Sequence, residues 1–290
     1  MYGNGLIMEH YRTEAARRGI LDLKKTPYSQ RWGKGVEQYL EFLSTPQGRY
    51  YVKEDDKPGC DAEVLLSQIY KRAGLNSAIY TPAKDHYGKN VVLSNDIKTK
   101  SNLYAYDFLK KIRNQNPGNS MADGLPMDKS AFPGVNLTRF LTREGIRQLL
   151  TMNTLDVSSY NDDRHLSNFI FNINALGKAN GVSVFDHGES GHNFRDARDS
   201  GSVLSQEHLT YPNLFNCGHE LSRAGIVNQL KNNESTLPYI KPDELAEIVG
   251  GIDPVSVARD IKGDIGYKIS QRYVDTIASS FDQMAEDLSQ

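Results

Sequence analysis

The sequence predicts an α+β chain in two lobes, a β-rich one over residues 1–100 and a mostly helical one over residues 101–290. Three observations carry this. Short β-forming runs set apart by turn residues fill the first hundred positions, with one helical stretch among them. Helical periodicity dominates after Asn102, broken by a pair of strand-like runs near residues 168–185. A chain of 290 residues with 38% apolar side chains is also long enough to bury one large core or two ordinary ones.

The elements follow in order. "EQYLEFL" (Glu37–Leu43) alternates and carries β-formers, "STPQGR" (Ser44–Arg49) is turn chemistry, and "YYVKE" (Tyr50–Glu54) returns, so the three read as a hairpin. "KPG" ends that strand. "CDAEVLLSQIYKRAG" then reads as a helix, with Asp61 as N-cap, Ala62, Leu65, Leu66, Ile69 and Ala73 at helical spacing, and Gly74 as the stop. "AIYTPA" and "NVVLSNDI" read as two more strands around the turn "KDHYGK". "LYAYDFLKKI" reads as a helix, and Arg113–Gly134, rich in Pro, Gly, Asn and Ser, as a long loop. Thr142 caps a helix running to Val157. Strands follow at Asn168–Ile173 and Val182–Phe185, then an irregular stretch from Gly188 to Asn213. The last eighty residues are mostly helical, in "KPDELAEIVGGI" and "PVSVARDIKGDIGYKISQRYVDTIASSFDQMAEDL". No repeat or low-complexity tract interrupts this order.

Composition narrows the function classes. A net charge of −2 argues against non-specific nucleic-acid binding as the main activity, and no nucleic-acid partner is expected. The two cysteines, Cys60 and Cys217, fit no zinc spacing and make no disulfide framework; they read as reduced thiols. No apolar run approaches the roughly 18–20 residues that span a bilayer. The N-terminus, "MYGNGLIMEHYRTEAARRG", lacks the basic start and apolar core of a secretion signal. The expected setting is cytoplasmic, although an effector exported by a specialised machine would have the same composition.

The polar residues of "YNDDRHLSNFIF" (Tyr160–Phe171) cluster at the mouth of a strand. Asp163 and Asn168 stand five residues apart there, and Asp186 lies beyond the next strand in "FDHG". An Asp, an Asn and a second Asp brought by neighbouring strands offer oxygen ligands of the kind Mg²⁺ takes, together with a group to receive a hydroxyl proton. Asp162 competes with Asp163 for that last role, and the step to Asn168 favours Asp163. "YYVKE" adds Lys53 in a strand ahead of a helix carrying Glu63, an arrangement suited to holding ATP phosphates; Glu54 and Asp61 compete with Glu63 as the partner of the lysine. Gly33 and Gly35 in "SQRWGKG" give a turn whose successive N–H groups suit phosphate.

"DRHLSN" followed by "FDHG" resembles the catalytic and metal loops of the atypical kinases, the HipA-like kinases and the phosphatidylinositol 3/4-kinase-like group, which share a D-R/A-H-x-x-N loop. "YVK…AEVLLSQIYKRAGL" is similar to that family's lysine strand and following helix. In ordinary protein kinases the histidine precedes the aspartate; here His165 follows it. The resemblance spans Ser29 to Gly188 and leaves the last eighty residues unmatched. It implies a two-lobed protein-kinase-like fold and an ATP- and Mg²⁺-dependent kinase. Asp163 would then be the catalytic aspartate and His165 would order its loop. Asn168 and Asp186 would be the Mg²⁺ ligands, with Lys53 and Glu63 at the phosphates. Val91–Ile97, with Leu93 and Asn95, would be the hinge that holds adenine. The HipA-like likeness implies a protein Ser/Thr acceptor. A lipid kinase would be expected to carry a basic or apolar membrane-facing patch, and no strongly basic run is present. A kinase-shaped nucleotide-binding module and an adenylyltransferase are the readings from other classes.

Overall fold

The computed structural model describes residues 21–22, 29–32, 40–45, 48–84, 88–95, 97, 99, 101–115, 140–188, 190, 210–212, 220–232 and 238–290. The N-terminal part holds β1 (Leu21–Asp22), β2 (Ser29–Trp32), β3 (Leu40–Thr45), β4 (Gly48–Glu54), α1 (Lys57–Arg72), β5 (Asn76–Ser77), β6 (Tyr80–Lys84) and β7 (Asn90–Asn95). Next come β8 (Asn102–Tyr104), α2 (Ala105–Gln115), α3 (Arg143–Ser158), β9 (Phe169–Ile173), β10 (Ala179–Val184), β11 (Thr210–Pro212) and β12 (Glu220–Ser222). The chain closes with α4 (Arg223–Asn232), α5 (Pro242–Gly250), α6 (Pro254–Ile265) and α7 (Gln271–Ser289). Sheets thus lie towards the N-terminus and helices towards the C-terminus, as the sequence predicts. None of the described helices is long and apolar enough to cross a membrane.

The first sheet runs β1-β6-β7-β4-β3-β2 and is antiparallel apart from the β1/β6 pair. The expected hairpin forms its centre, with Thr45 opposite Gly48 and Lys53 between Leu40 on β3 and Val92 on β7. A second sheet runs β5-β10-β9-β8. β5 comes from the first hundred residues and pairs in parallel with β10, so it crosses the proposed division at residue 100. A continuous apolar core joins Leu65, Leu66 and Ile69 of α1 to Leu149 and Leu150 of α3, Phe169 and Phe171 of β9, Val182 and Val184 of β10, and Ile277 and Phe281 of α7.

Several element boundaries differ from expectation, each for a local reason. α1 starts at Lys57, earlier than predicted, and its N-cap is Asp56, whose Oδ1 accepts the Gly59 N–H at 2.6 Å. "KPG" looks like a breaker in the sequence, but the first turn of a helix has no use for the N–H that proline lacks. Asp61 therefore sits inside the helix and caps nothing. Gly74 ends α1 as expected, with φ 83°. Asn102–Tyr104 pairs with β9 as a strand before α2 begins. The C-terminal helical run breaks at Gly266, which takes the left-handed conformation at φ 69° as the C-cap of α6. Thr142 caps α3 as predicted, its Oγ1 accepting the Gly145 N–H at 3.2 Å.

α3 approaches β10 so closely that only glycine fits at position 145. A Cβ there would lie 2.4 Å from the backbone oxygen of Ala179. At Gly263 in α6 a Cβ would meet nothing within 4 Å. Glycine to alanine in a helix ordinarily gains up to about 1 kcal/mol. Gly263→Ala is accordingly expected to raise the urea midpoint and Gly145→Ala to lower it. A midpoint raised by Gly145→Ala as well would show that the α3–β10 contact does not constrain the backbone.

Candidate active site

The site is built around one ammonium group. β4 carries Lys53, and the helix that follows turns Glu63 back towards it. Lys53 Nζ donates to Glu63 Oε1 at 2.7 Å and to Asp186 Oδ1 at 2.6 Å, and Asp55 Oδ2 stands 3.7 Å away. Glu63 is fully buried, and its second oxygen accepts the His187 N–H at 2.9 Å. Asp186 donates its own N–H to the Tyr80 hydroxyl at 3.1 Å. Burial alone would lower the pKa of Lys53, but the charges of Glu63 and Asp186 more than reverse this, and the ammonium stays protonated. Burial also works against the charge on Asp186, yet the charge of Lys53 and its hydrogen bond hold that carboxyl below its ordinary range. In Glu63 burial wins and pushes the carboxyl up, to about 7, against the pull of Lys53. Of the two rivals for the role of Glu63, Asp61 faces Lys57 and Ser270 instead, and the side chain of Glu54 lies outside the described residues.

Gly188 closes the same cluster. A Cβ on it would lie 2.7 Å from Lys53 Nζ, 2.7 Å from Asp55 Oδ2 and 3.3 Å from Glu63 Oε1. A side chain at this glycine of "DHG" would displace the ends of Lys53 and Asp55 from their present positions. Asp186, within the cluster, has φ 61°, and Tyr160, just ahead of the Asp163 loop, has φ 55°, both in the left-handed region that side chains other than glycine rarely adopt.

A second centre, below the first, is Arg164. It is fully buried and all five of its N–H groups have acceptors. Nε donates to the Asp156 carboxylate, Nη1 to the carbonyls of Asn168 (2.9 Å) and Phe185 (2.6 Å), and Nη2 to Asp156 Oδ1 (3.0 Å) and His187 Nδ1 (3.2 Å). Asp156 also accepts from the Tyr70 hydroxyl at 2.6 Å and from Asn161 Nδ2 at 2.8 Å. Because Arg164 donates to Nδ1 of His187, the imidazole proton belongs on Nε2, which faces the Ser77 hydroxyl. Burial, followed by the charges of Arg164 and Lys53, holds that imidazole well below its ordinary pKa and neutral. This one guanidinium ties α3, the Asp163–Asn168 loop and the residues flanking Asp186 together.

The loop itself is compact. Asp163 is exposed, and its carbonyl accepts the His165 N–H at 2.9 Å and Asn168 Nδ2 at 3.0 Å. His165 Nδ1 accepts the Ser167 N–H at 3.1 Å, and the His165 carbonyl accepts the Asn168 N–H at 3.0 Å. With its amide nitrogen spent on Asp163, Asn168 presents its carbonyl oxygen, the atom a metal would use. Asp162 is half-buried on the side of Tyr211, whose hydroxyl is pushed up first by burial and further by Asp162 among other groups.

The structure therefore gathers Lys53, Glu63 and Asp186 at one point, and Asp163, His165 and Asn168 in one loop bound to the Asp186 segment through Arg164. Gly33 and Gly35 lie outside the described residues. Leu93 is buried in the interior of the sheet, opposite Val52 on β4 and Thr81 on β6, so its backbone groups serve the ladder. Asn95 stands at the end of β7 opposite Tyr50, and its side chain is outside the described residues. Sequence reasoning missed Asp55, Tyr80, the steric role of Gly188 and the whole Asp156–Arg164 network. Asp156 did leave a signal: it falls seven residues after Leu149, on the apolar face of α3, where an acid needs a buried partner.

Among the described residues no group of three or more His, Cys, Asp or Glu side chains has the geometry to hold a metal ion. The donor set still fits Mg²⁺ with a nucleotide. Mg²⁺ takes few protein ligands and completes its shell with phosphate oxygens and water, and one carboxylate with one amide oxygen meets that need. Lys53 beside Gly188 fits a phosphate.

These elements define a kinase-like fold. The Helicobacter pylori proinflammatory kinase CtkA matches it with a TM-score of 0.55 at 15% sequence identity, over 91% of this chain and 94% of that one. A structure of the Shewanella oneidensis MR-1 toxin–antitoxin system HipA, HipB with its operator DNA matches with a TM-score of 0.38 at 14% identity, over 91% of this chain and 63% of that one. No protein-family model and no curated protein sequence matches the chain.

Arg164→Met would leave Asp156 buried without its cation. Removing one partner of a buried ion pair costs about 3–5 kcal/mol, and the urea midpoint should fall accordingly. A midpoint equal to the wild type would show that the network does not hold the loop.

Proposed function

We propose that the protein is an ATP- and Mg²⁺-dependent kinase that transfers the γ-phosphoryl group to a serine or threonine hydroxyl of a protein. The observation that supports this best is the convergence of Glu63 and Asp186 on Lys53, which joins a strand lysine, a helix acid and the metal-loop acid across 133 residues of chain. ATP with Mg²⁺ would supply the phosphoryl group and the countercharge for its transfer. Lys53, steadied by Glu63, would hold phosphate oxygens. Asn168 Oδ1 and the Asp186 carboxylate would hold the metal. Asp163, exposed at the loop, would orient the acceptor hydroxyl and receive its proton. His165 would keep the loop in register through Ser167. The backbone following Asn95, past the end of the interior ladder, would receive adenine. The two lobes would divide near residue 100. Rate enhancement in such a site comes from positioning and charge neutralisation, with no covalent intermediate on the protein.

Asp163→Ala and Asp186→Ala should each abolish transfer of label from γ-labelled ATP to a protein acceptor, with the unfolding midpoint close to the wild type for the exposed Asp163 and lowered for Asp186, whose loss removes a partner of Lys53. Label arriving from α-labelled ATP instead would replace the kinase reading with adenylyl transfer. Label appearing only in added phosphoinositide vesicles would replace the protein acceptor with a lipid. A thermal-shift measurement precedes both: a ligand present at a hundred times its Kd adds about 2.7 kcal/mol. No stabilisation by millimolar ATP and Mg²⁺ would count against the whole reading.

A further inference from the structure

The helix that carries Glu63 is buried nearly all round. From Gly59 to Ser67 every residue of α1 is buried, including Asp61 and Glu63. A helix with no exposed face must be covered on both sides. One side packs on the first sheet and delivers Glu63 to Lys53. Asp61, two residues earlier, lies about 200° around the helix from Glu63 and faces the opposite way. The cover on that side comes from the C-terminus. Asp61 Oδ2 accepts the Ser270 N–H at 3.1 Å, and its other oxygen bonds Lys57 Nζ. Lys57 Nζ in turn donates to the Lys268 carbonyl at 3.1 Å and stands 4.5 Å from the centroid of the Tyr267 ring. The buried Tyr267 hydroxyl is pushed up by burial and by Asp61, to which it hydrogen-bonds. Further along, Val64 and Gln68 of α1 line one small cavity with Val257, Ile261 and Ile265 of α6, and Arg72 reaches Asp260 at 2.5 Å.

A buried carboxylate costs several kcal/mol unless its oxygens are partnered. The three partners of Asp61 come from the first residue of α1 and from the segment between α6 and α7. Any tilt or slide of α1 that withdrew Glu63 from Lys53 would also strip Asp61 of the Ser270 and Tyr267 contacts. In kinases generally, seating this helix so that its glutamate meets the strand lysine is the step on which activity depends.

We propose that the segment Tyr267–Ser270, together with α6, is a built-in clamp that holds α1 with Glu63 on Lys53, and that Asp61 is the positioning residue through which it acts. The proposal rests on the kinase reading for its consequence in catalysis, but the clamp itself is a property of the nucleotide-free chain. The active pose of the helix is then supplied from within the chain by its C-terminal segment.

Two mild variants of the full chain test it. Asp61→Asn keeps the shape and an acceptor oxygen while removing the charge that Lys57 requires. Ser270→Pro removes the N–H that Asp61 accepts, together with a hydroxyl that makes no capping bond, at a residue whose φ of −57° suits proline. Amide hydrogen exchange of the nucleotide-free protein gives the first readout. We expect exchange at residues 60–66 to accelerate about tenfold or more, with residues 146–157 of α3 unchanged, as local opening would give. Binding of ATP with Mg²⁺ gives the second, with Kd expected to rise about tenfold. Unchanged exchange at residues 60–66 in both variants would overturn the clamp. So would a rise shared equally by α3, which would mark a general loss of stability. If Asp61→Asn does not fold, Ser270→Pro carries the test alone. Failure of the wild type to bind ATP with Mg²⁺ would sink the kinase reading, while the exchange measurement would still decide on the clamp.

Discussion

The charge of Lys53 organises the upper half of this protein. This half-buried ammonium lies against the fully buried Glu63, and its two close partners come from segments far apart in the chain. Glu63 arrives on α1 and Asp186 on the connection after β10. Their approach brings the helix against the first sheet and places the end of the second sheet beside it. The requirement reaches Gly188 as well, since a side chain there would contact the ammonium. An excess of carboxylates around one cation, with Asp55 as the third, leaves the centre net negative and suited to a further cation.

Arg164 does for the lower half what Lys53 does for the upper. Its five donors are all committed, to one carboxylate, two carbonyls and an imidazole. The two carbonyls belong to Asn168, itself one of the two proposed metal ligands, and to Phe185, which directly precedes the other. The Asp163–Asn168 loop and the Asp186 segment are thus indexed to one rigid plane. Such a network is worth little as net stability, because desolvation offsets the attraction, but it fixes geometry. A histidine held neutral beside it avoids placing a second buried cation next to the first.

Much of this was legible in the sequence, and what was hidden has physical reasons. The hairpin, the Thr142 cap and the Gly74 stop were readable because they depend on neighbours within a few residues. Lys53, Asp163, Asn168 and Asp186 stand out in the sequence as polar residues in or beside short strands, and the structure brings Lys53 to Asp186 and Asn168 to Asp163. The start of α1 was misjudged because Lys-Pro-Gly breaks a strand and opens a helix equally well; Asp56, immediately before it, decided between them. The apolar stripe of α1 does not choose between Glu63 and its rivals, since it cannot show that the helix is covered on both faces. Asp55 joins the site as a near neighbour of Lys53 in the chain, while Tyr80 and His187 join it through contacts across more than a hundred residues, which no local pattern records. The split of the last helices at Gly266 hid the segment that meets Asp61.

The most direct test of the central claim is a crystal structure with a non-hydrolysable ATP analogue and Mn²⁺, in which the metal is located by its anomalous signal. The account predicts manganese bound by Asn168 and Asp186, with Lys53 still on Glu63 but turned from Asp186 to a phosphate oxygen. An analogue bound elsewhere, with Lys53 still bridging both carboxylates and no metal at Asp186, would contradict it.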